Sequence, residues 1–349
     1  MNAIGLLEAL VRIPSVSGDE QAIATWFADF LTRQGLEVEV LDRNVVARVR
    51  GIRPGPTLMF NSHLDVVPVG PGWDTDPFVP TFVGDRMFGR GSNDAKASVT
   101  AMALAAIALS KHPPECGELL FAATCEEERG RAGLEKILPS LGKIDAAIIG
   151  EPTGLHPAVA QNGLLILELC AEGRPGHAAR PHLAVNAIDI AAADVLALHA
   201  LQWEPKNPHV GPMTLAVTQI QAGTAHNVIP GECRMVVDIR TIPEIPPEVV
   251  TGRVKATVKS QVVVRSDRLA PVRTPEGARI LASVMSANPD GRPFGSPTLS
   301  DWAHLKAIPA VKIGPGLSEV SHTANEWVSL PEVERAVEVY ERIARHYLS

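Results

Sequence analysis

The sequence predicts an α/β protein that carries an inserted α+β domain, and three observations lead there. Up to Gly163, short apolar strands alternate with helical segments, the sign of a sheet flanked by helices. Between 164 and 270 the order changes to strand, long helix, two strands and helix, a two-layer α+β pattern of ordinary domain size. After 271 the first pattern returns, so 1–163 and 271–349 read as one domain and 164–270 as an insertion into it. A chain of 349 residues with 46% hydrophobic content has material for two such cores.

The elements follow in order. MNAIGLLEALVRIPS reads as an amphipathic helix, without the basic leader or small-residue cleavage site of a signal peptide. Ser17-Gly18-Asp19-Glu20 has capping-box spacing, in which a Ser hydroxyl and a Glu three residues on satisfy each other's backbone donors. A helix is therefore expected from there to Gly35, with Ile23, Trp26, Phe27, Phe30 and Leu31 as its apolar stripe. Strands are expected at Leu36–Leu41, Val45–Val49 and Thr57–Phe60, a helix at 95–110, a strand at Leu119–Ala123, a helix at Ala132–Leu138 and a strand at Ala146–Ile149. The insertion reads as strands at Leu164–Ala171, Thr214–Gln221 and Cys233–Ile239, with helices near Asn186–Leu201 and Glu248–Val258. The tail adds a helix at 275–287, a strand at Ala310–Ile313 and a terminal helix at 331–347. No internal repeat or low-complexity tract is present.

Composition narrows the class. Lys plus Arg number 32 against 39 Asp plus Glu, a net charge of -7 with no long run of like charge, which argues against nucleic acid as a partner. The apolar stretch Ala101–Leu109 is far short of the roughly 18 residues of a membrane span. Cys116, Cys125, Cys170 and Cys233 lack C-x-x-C spacing, so neither a disulfide framework nor a thiolate zinc site is expected. A reducing cytoplasm is the expected compartment.

Residues able to carry chemistry gather behind the strands. His63 in Ser62-His63-Leu64-Asp65 ends an apolar strand, where open α/β sheets collect ligands. It is either a metal ligand or a polar strand end, and Asp65, on the same side of an extended backbone, could accept its other ring N–H. Asp94 closes the glycine-rich turn GRGSND just ahead of a helix, as an N-cap or as a ligand. That turn lacks the G-x-x-x-x-G-K-[ST] of a phosphate loop. Glu126, Glu127 and Glu128 are either a solvated acidic turn or a ligand beside a free general base whose pKa its neighbours raise. Glu151 follows another apolar strand, and His322 follows the strand and loop VKIGPG. Two imidazoles and three carboxylates so placed suit a dinuclear zinc site with one bridging carboxylate.

In this order SHLD, GRGSNDAK, CEEE, GEPT, GHAARPHLAVNAI, GTAHNVIP, VDIRT and SHTANE resemble the acetylornithine deacetylase / succinyl-diaminopimelate desuccinylase family of dinuclear-zinc amidohydrolases and exopeptidases, over nearly the whole chain. GSNDAKAS, FGSPTLSD and VKIGPG are similar to its acetylornithine deacetylase branch. The resemblance implies a zinc-exopeptidase-like catalytic domain with a mixed sheet flanked by helices, and a ferredoxin-like insertion serving as dimerisation or lid domain. It further implies a pair of Zn(2+) ions in each subunit, with Co(2+) as a substitute, a small N-acyl amino acid as substrate, and a homodimer.

Carried over residue by residue, the resemblance makes His63 and Glu151 ligands of different metals, with Asp94 bridging, Glu128 paired with one ion and His322 with the other. Glu127 becomes the general base toward a zinc-activated water, and Asp65 the carboxylate behind His63. The additional Glu126 leaves room for a slip of one residue in that string. His177 matches a histidine that acts across the dimer on the oxyanion, against the alternative of a surface-loop histidine. Asn227 and Arg240 match positions that bind a substrate carboxylate, although Arg240 could instead pair with Asp238. Arg180, His182 and His226 are further pocket candidates.

Two departures from the family pattern bear on specificity. Ala95 and Ala97 replace the usual Met and Gly around the helix-opening Asp-x-Lys, and Ser300-Asp301-Trp302-Ala303 replaces Ser-Asp-Ala-Arg. Loss of that Arg mildly disfavours a substrate with a second carboxylate. The expected reaction is thus hydrolysis of N-acetylornithine to ornithine and acetate, as in arginine biosynthesis. N-succinylornithine, N-acetylcitrulline, N-succinyl-diaminopimelate and small peptides are the alternative substrates, and a catalytically silent binding protein is the alternative of another class.

Overall fold

The computed structural model describes residues 1–130 and 132–349. The chain folds into two compact units, one made of Met1–Val159, Arg273–Phe294 and Ser300–Ser349, the other of Ala160–Val272 and Gly295–Leu299.

In the first unit the central sheet is mixed. The order runs Glu37–Leu41, Asn44–Arg50, Cys116–Thr124, Arg53–His63, Ala146–Ile149, Ala310–Lys312. The last four are mutually parallel, with His63 level with Thr124, and Asn61 and Lys312 level with Ile149. Their carboxyl ends therefore emerge along one edge, where the loops that follow them are brought together. The parallel strands are buried on both faces at their carboxyl halves because helices cover them. Helix Lys96–Lys111 is buried almost all round, as its run of Ala, Val, Met and Leu requires. Helices Gln21–Arg33 and Leu330–Tyr347 bury one stripe each, and Phe27 meets Phe121 edge-on at 6.1 Å while Phe60 meets Tyr340 at 5.5 Å.

The second unit is an antiparallel sheet in the order Thr214–Ala222, Glu232–Thr241, Gly163–Glu172, Gln261–Leu269, with helices Ala187–His199 and Pro247–Thr257. This is a βαββαβ ferredoxin-like order. Leu165, Leu167, Leu169 and Ala171 alternate inward opposite Cys233, Met235, Val237 and Ile239, and the two helices close over that face with Ala187, Ala191, Val250 and Val254.

Several elements differ from the sequence reading, among them short strands such as Thr81–Val83, Arg86–Phe88 and Ala158–Gln161 that it did not give. The helix expected from Ser17 starts at Gln21, because Ser17 and Glu20 spend their side chains on Asp65, Gly18 and Glu126 rather than on each other. The helix expected at 132–138 is one turn, Leu134–Ile137, continued as a 3-10 turn over Leu138–Ser140 with Pro139. Strand Gln261–Leu269 has no counterpart in the reading, since its register shifts twice and its largely exposed face breaks the alternation.

Candidate metal centre

Every side chain of the centre leaves the carboxyl edge of the parallel strands or a loop beside it. His63 is the last residue of its strand, Glu127 and Glu128 lie in the turn after Thr124, Glu151 follows Ile149, and His322 lies in the loop after Lys312. Asp94 stands one residue before the helix's own cap position, Ala95, and caps nothing, which sets aside the N-cap alternative. Glu326 accounts for its placement: this buried carboxylate accepts hydrogen bonds from the N–H groups of Gly91, Asn93 and Asp94 at 3.1, 3.0 and 2.9 Å and pairs with buried Arg90 at 2.7 Å.

Asp94 turns its two oxygens to opposite sides. Oδ1 lies 3.2 Å from His63 Nε2, and Oδ2 lies 3.5 Å from His322 Nε2. His63 Nε2 is also 3.8 Å from Glu151 Oε1, while His322 Nε2 is 2.9 Å from Glu128 Oε1. Two ligand sets result, His63–Asp94–Glu151 and Asp94–Glu128–His322, each with ligand atoms within 4.8 Å of one another. These sets place His63 with Glu151, where the resemblance puts the two on different ions. A third set, His63–Glu127–Glu128, leaves out Asp94, so Glu127 is the carboxylate that belongs to neither of the sets Asp94 bridges. The mixture of imidazole and carboxylate at these separations fits a pair of divalent ions sharing one carboxylate.

Asp65 organises the floor. Its carboxylate accepts the Ser17 hydroxyl at 2.6 Å and the N–H groups of Glu127 and Glu128 at 3.0 and 3.2 Å, and lies 3.5 Å from His63 Nδ1. His63 Nδ1 also meets the Asp65 carbonyl at 3.0 Å, which leaves Nε2 facing Asp94 and Glu151. Glu126 goes the other way, onto Arg43, and is in none of the three ligand-capable sets.

Electrostatics follow from burial among these charges. Burial pushes the Glu127 carboxyl well above the ordinary range, with Glu151, Asp301 and Glu128 adding to it and His63 opposing. Burial and the Asp94 charge push Glu151 up to about 8. Burial also raises Asp301, which accepts a 2.9 Å hydrogen bond from Thr124. Lys312, at the end of a central strand, is pulled down to about 8 by burial against the opposing charges of Glu151, Glu127 and Asp94. The sequence reading passed over Lys312, Asp301 and Glu326 as site-forming residues. Their signal was charge embedded in apolar stretches, in VKIG, LSDW and ANEW.

The remaining candidates lie in the second unit. His177 pairs with Val228 in a two-stranded ribbon, is exposed, and takes the Ala179 N–H on Nδ1 at 3.1 Å. The Asn227 carbonyl accepts from Ala178, which sets Asn227 in the turn just before the strand that pairs with that of His177. Arg240 lies on Asp238 through two hydrogen bonds of 2.9 and 3.3 Å, the competing arrangement weighed from sequence. Arg180, His182 and His226 are exposed.

A family model described as peptidase family M20/M25/M40 matches residues 59–346. The chain belongs to this family. It is accordingly an enzyme of a metal-dependent hydrolase family. Among curated relatives, it is 34% identical to a succinyl-diaminopimelate desuccinylase of Leptothrix cholodnii over 72% of each chain. It is 30% identical to a succinyl-diaminopimelate desuccinylase of Thioalkalivibrio sulfidiphilus over 99% of each. Among solved structures, aminopeptidase PepT of Bacillus cereus superposes with a TM-score of 0.84 at 20% identity, covering 99% of this chain and 98% of that one. A dinuclear metal-binding peptidase of the M20 family from Bacillus subtilis gives 0.78 at 18%, covering 99% and 97%. These likenesses establish the M20 fold. No helix among the described residues is long and apolar enough to cross a membrane.

Proposed function

We propose that the protein is a cytoplasmic, zinc-dependent amidohydrolase that removes the acyl group from an N-acyl amino acid. The observation that carries this reading is the shared carboxylate Asp94, facing His63 with one oxygen and His322 with the other, beside a half-buried carboxyl, Glu127, outside both ligand sets. His63, Asp94 and Glu151 would hold one ion and Asp94, Glu128 and His322 the other. The chemistry such a pair supplies is polarisation of the amide carbonyl and a lowered pKa for the attacking water.

Glu127 takes the proton from that water and returns it to the leaving amine nitrogen as the C–N bond breaks. The products are a free carboxylate and a free amine, with one water consumed. A carboxyl whose pKa is raised by burial is suited to both transfers near neutral pH. Asp65 holds His63 and the turn that carries Glu127. His177, acting across a homodimer, is proposed as oxyanion donor, with Asn227 and Arg240 binding the substrate carboxylate.

Trp302 and Ala303, where the family commonly has Ala-Arg, favour N-acetylornithine as substrate, with N-succinylornithine and N-acetylcitrulline as variants. The names of the curated relatives favour N-succinyl-diaminopimelate as the second reading. Hydrolysis of these four compounds and of dipeptides by the zinc-loaded protein separates the readings, with Glu127→Ala as control. Cleavage of an acyl amino acid that the variant loses while keeping its zinc supports the proposal. Cleavage of dipeptides alone overturns the substrate class, and no cleavage of any amide overturns the enzyme reading.

A further inference from the structure

The turn that presents Glu127 begins in an unfavourable backbone state. Glu126 has φ of +51°, a left-handed conformation that costs any residue with a Cβ. Its side chain and its N–H are both held by groups from elsewhere in the fold. The N–H donates to Glu20 Oε1 at 3.1 Å, and the carboxylate pairs with the Arg43 guanidinium, which through its other terminal nitrogen also pairs with Glu20. Glu20 is fully buried, and its Oε1 takes the Gly18 N–H as well, at 2.7 Å. Arg43 itself sits in the tight turn between strands Glu37–Leu41 and Asn44–Arg50, mostly covered. One guanidinium fork thus ties the start of helix Gln21–Arg33, a hairpin turn and the acidic turn together.

We propose that Arg43 is a positioning residue for Glu127: by bridging Glu20 and Glu126 it holds the left-handed turn from which the Glu127 and Glu128 amides reach Asp65. The inference rests on Glu127 being the base. Directly after Glu126 the next two N–H groups converge on the two Asp65 oxygens, at 3.0 and 3.2 Å. That convergence sets the direction in which the Glu127 carboxylate leaves the backbone. Without the fork, Glu126 loses the partner that fixes its side chain, and among the described residues Glu20 keeps a buried charge matched by the Gly18 and Glu126 N–H groups.

The test uses the full-length zinc-loaded protein and its Arg43→Ala, Arg43→Lys and Arg43→Ala/Glu126→Gly variants. In Arg43→Ala, kcat should fall by about 100-fold, the scale of an ångström-level misplacement, with KM within about twofold and both zinc ions retained. Hydrogen exchange should accelerate at the amides of Glu127 and Glu128. Guanidinium in the buffer should restore part of kcat, and so should Glu126→Gly in the same chain, because glycine takes the left-handed turn without a clamp. Arg43→Lys, which cannot fork, should fold and lie between. The proposal is overturned if the two amides stay protected in Arg43→Ala, or if neither guanidinium nor Glu126→Gly restores activity. If the wild type hydrolyses no amide, the functional reading fails, and the exchange measurement still decides the clamp.

Discussion

Ser17 Oγ donates a 2.6 Å hydrogen bond to Asp65 Oδ2, and both side chains are buried. The hydroxyl acts on His63 through Asp65, whose carboxylate lies 3.5 Å from His63 Nδ1. Partners that orient a ligating imidazole typically change metal affinity or activity by about 10- to 100-fold when removed. Asp65→Asn is expected at the upper end of that range, since it also weakens the acceptor for the Glu127 and Glu128 amides. Ser17→Ala is expected near the lower end, because three other contacts to Asp65 remain. Titration with a chelator of known affinity reads both.

The two ligand sets make different predictions for paired variants. If His63 and Glu151 serve one ion and Glu128 and His322 the other, His63→Ala/Glu151→Ala keeps one zinc per chain and His63→Ala/His322→Ala keeps none. Asp94→Ala, which removes the shared carboxylate, weakens both. Metal analysis after gel filtration gives the stoichiometry. Loss of both ions from His63→Ala/Glu151→Ala would restore the pairing drawn from the resemblance.

Much of this centre was legible in the sequence, and the reason is topological. Strands that are short, apolar and parallel end on one edge, so polar residues just past Phe60, Thr124, Ile149 and Lys312 converge whatever the details of the loops. The grouping of ligands was not legible, because it depends on which way each oxygen of Asp94 faces, and spacing along the chain carries no such information. Ser17 and Glu20 were misread for a related reason. A hydroxyl and a carboxylate three apart fit a helix cap, and the same two groups fit long-range acceptors equally well; burial beside Asp65 and Arg43 decided between them. Strand Gln261–Leu269 was missed because Arg265-Ser266-Asp267-Arg268 on a bulged edge carries no alternation to read.

Glu326 should be needed for the fold as much as for the site. Arg90 and Glu326 are both almost fully enclosed, and breaking a buried pair from one side typically costs about 3–5 kcal/mol because the other charge is left alone. Glu326→Ala is therefore expected to destabilise the metal-free protein by that order and to lower zinc affinity, since the Gly91, Asn93 and Asp94 amides lose their acceptor together. Glu326→Leu/Arg90→Met should recover part of the stability and none of the affinity. Urea unfolding of the metal-free proteins, set beside the chelator titration, separates the two effects.

Metal affinity should depend on pH in a direction the metal-free protein dictates. The Glu151 carboxyl, pushed up to about 8 by burial and then by the Asp94 charge, holds a proton at pH 7 that a ligating carboxylate cannot keep. His63 adds to the same demand: burial alone would lower it, but the hydrogen bonds to Asp65 and Asp94 hold its pKa well above the ordinary value. Zinc binding should then release protons, and affinity should rise by about tenfold or more for each pH unit between roughly 6 and 8. The fold itself responds with the opposite sign. Between the ordinary carboxyl value of 4.5 and about 8, folded Glu151 binds a proton that the unfolded chain does not, so its contribution to the stability of the metal-free protein declines as pH rises through that window. Zinc reverses the trend, because the ionised carboxylate then has its partner. Calorimetric titration in buffers of different ionisation heat counts the protons released. An affinity flat across this range would mean that neither Glu151 nor His63 gives up a proton when zinc binds.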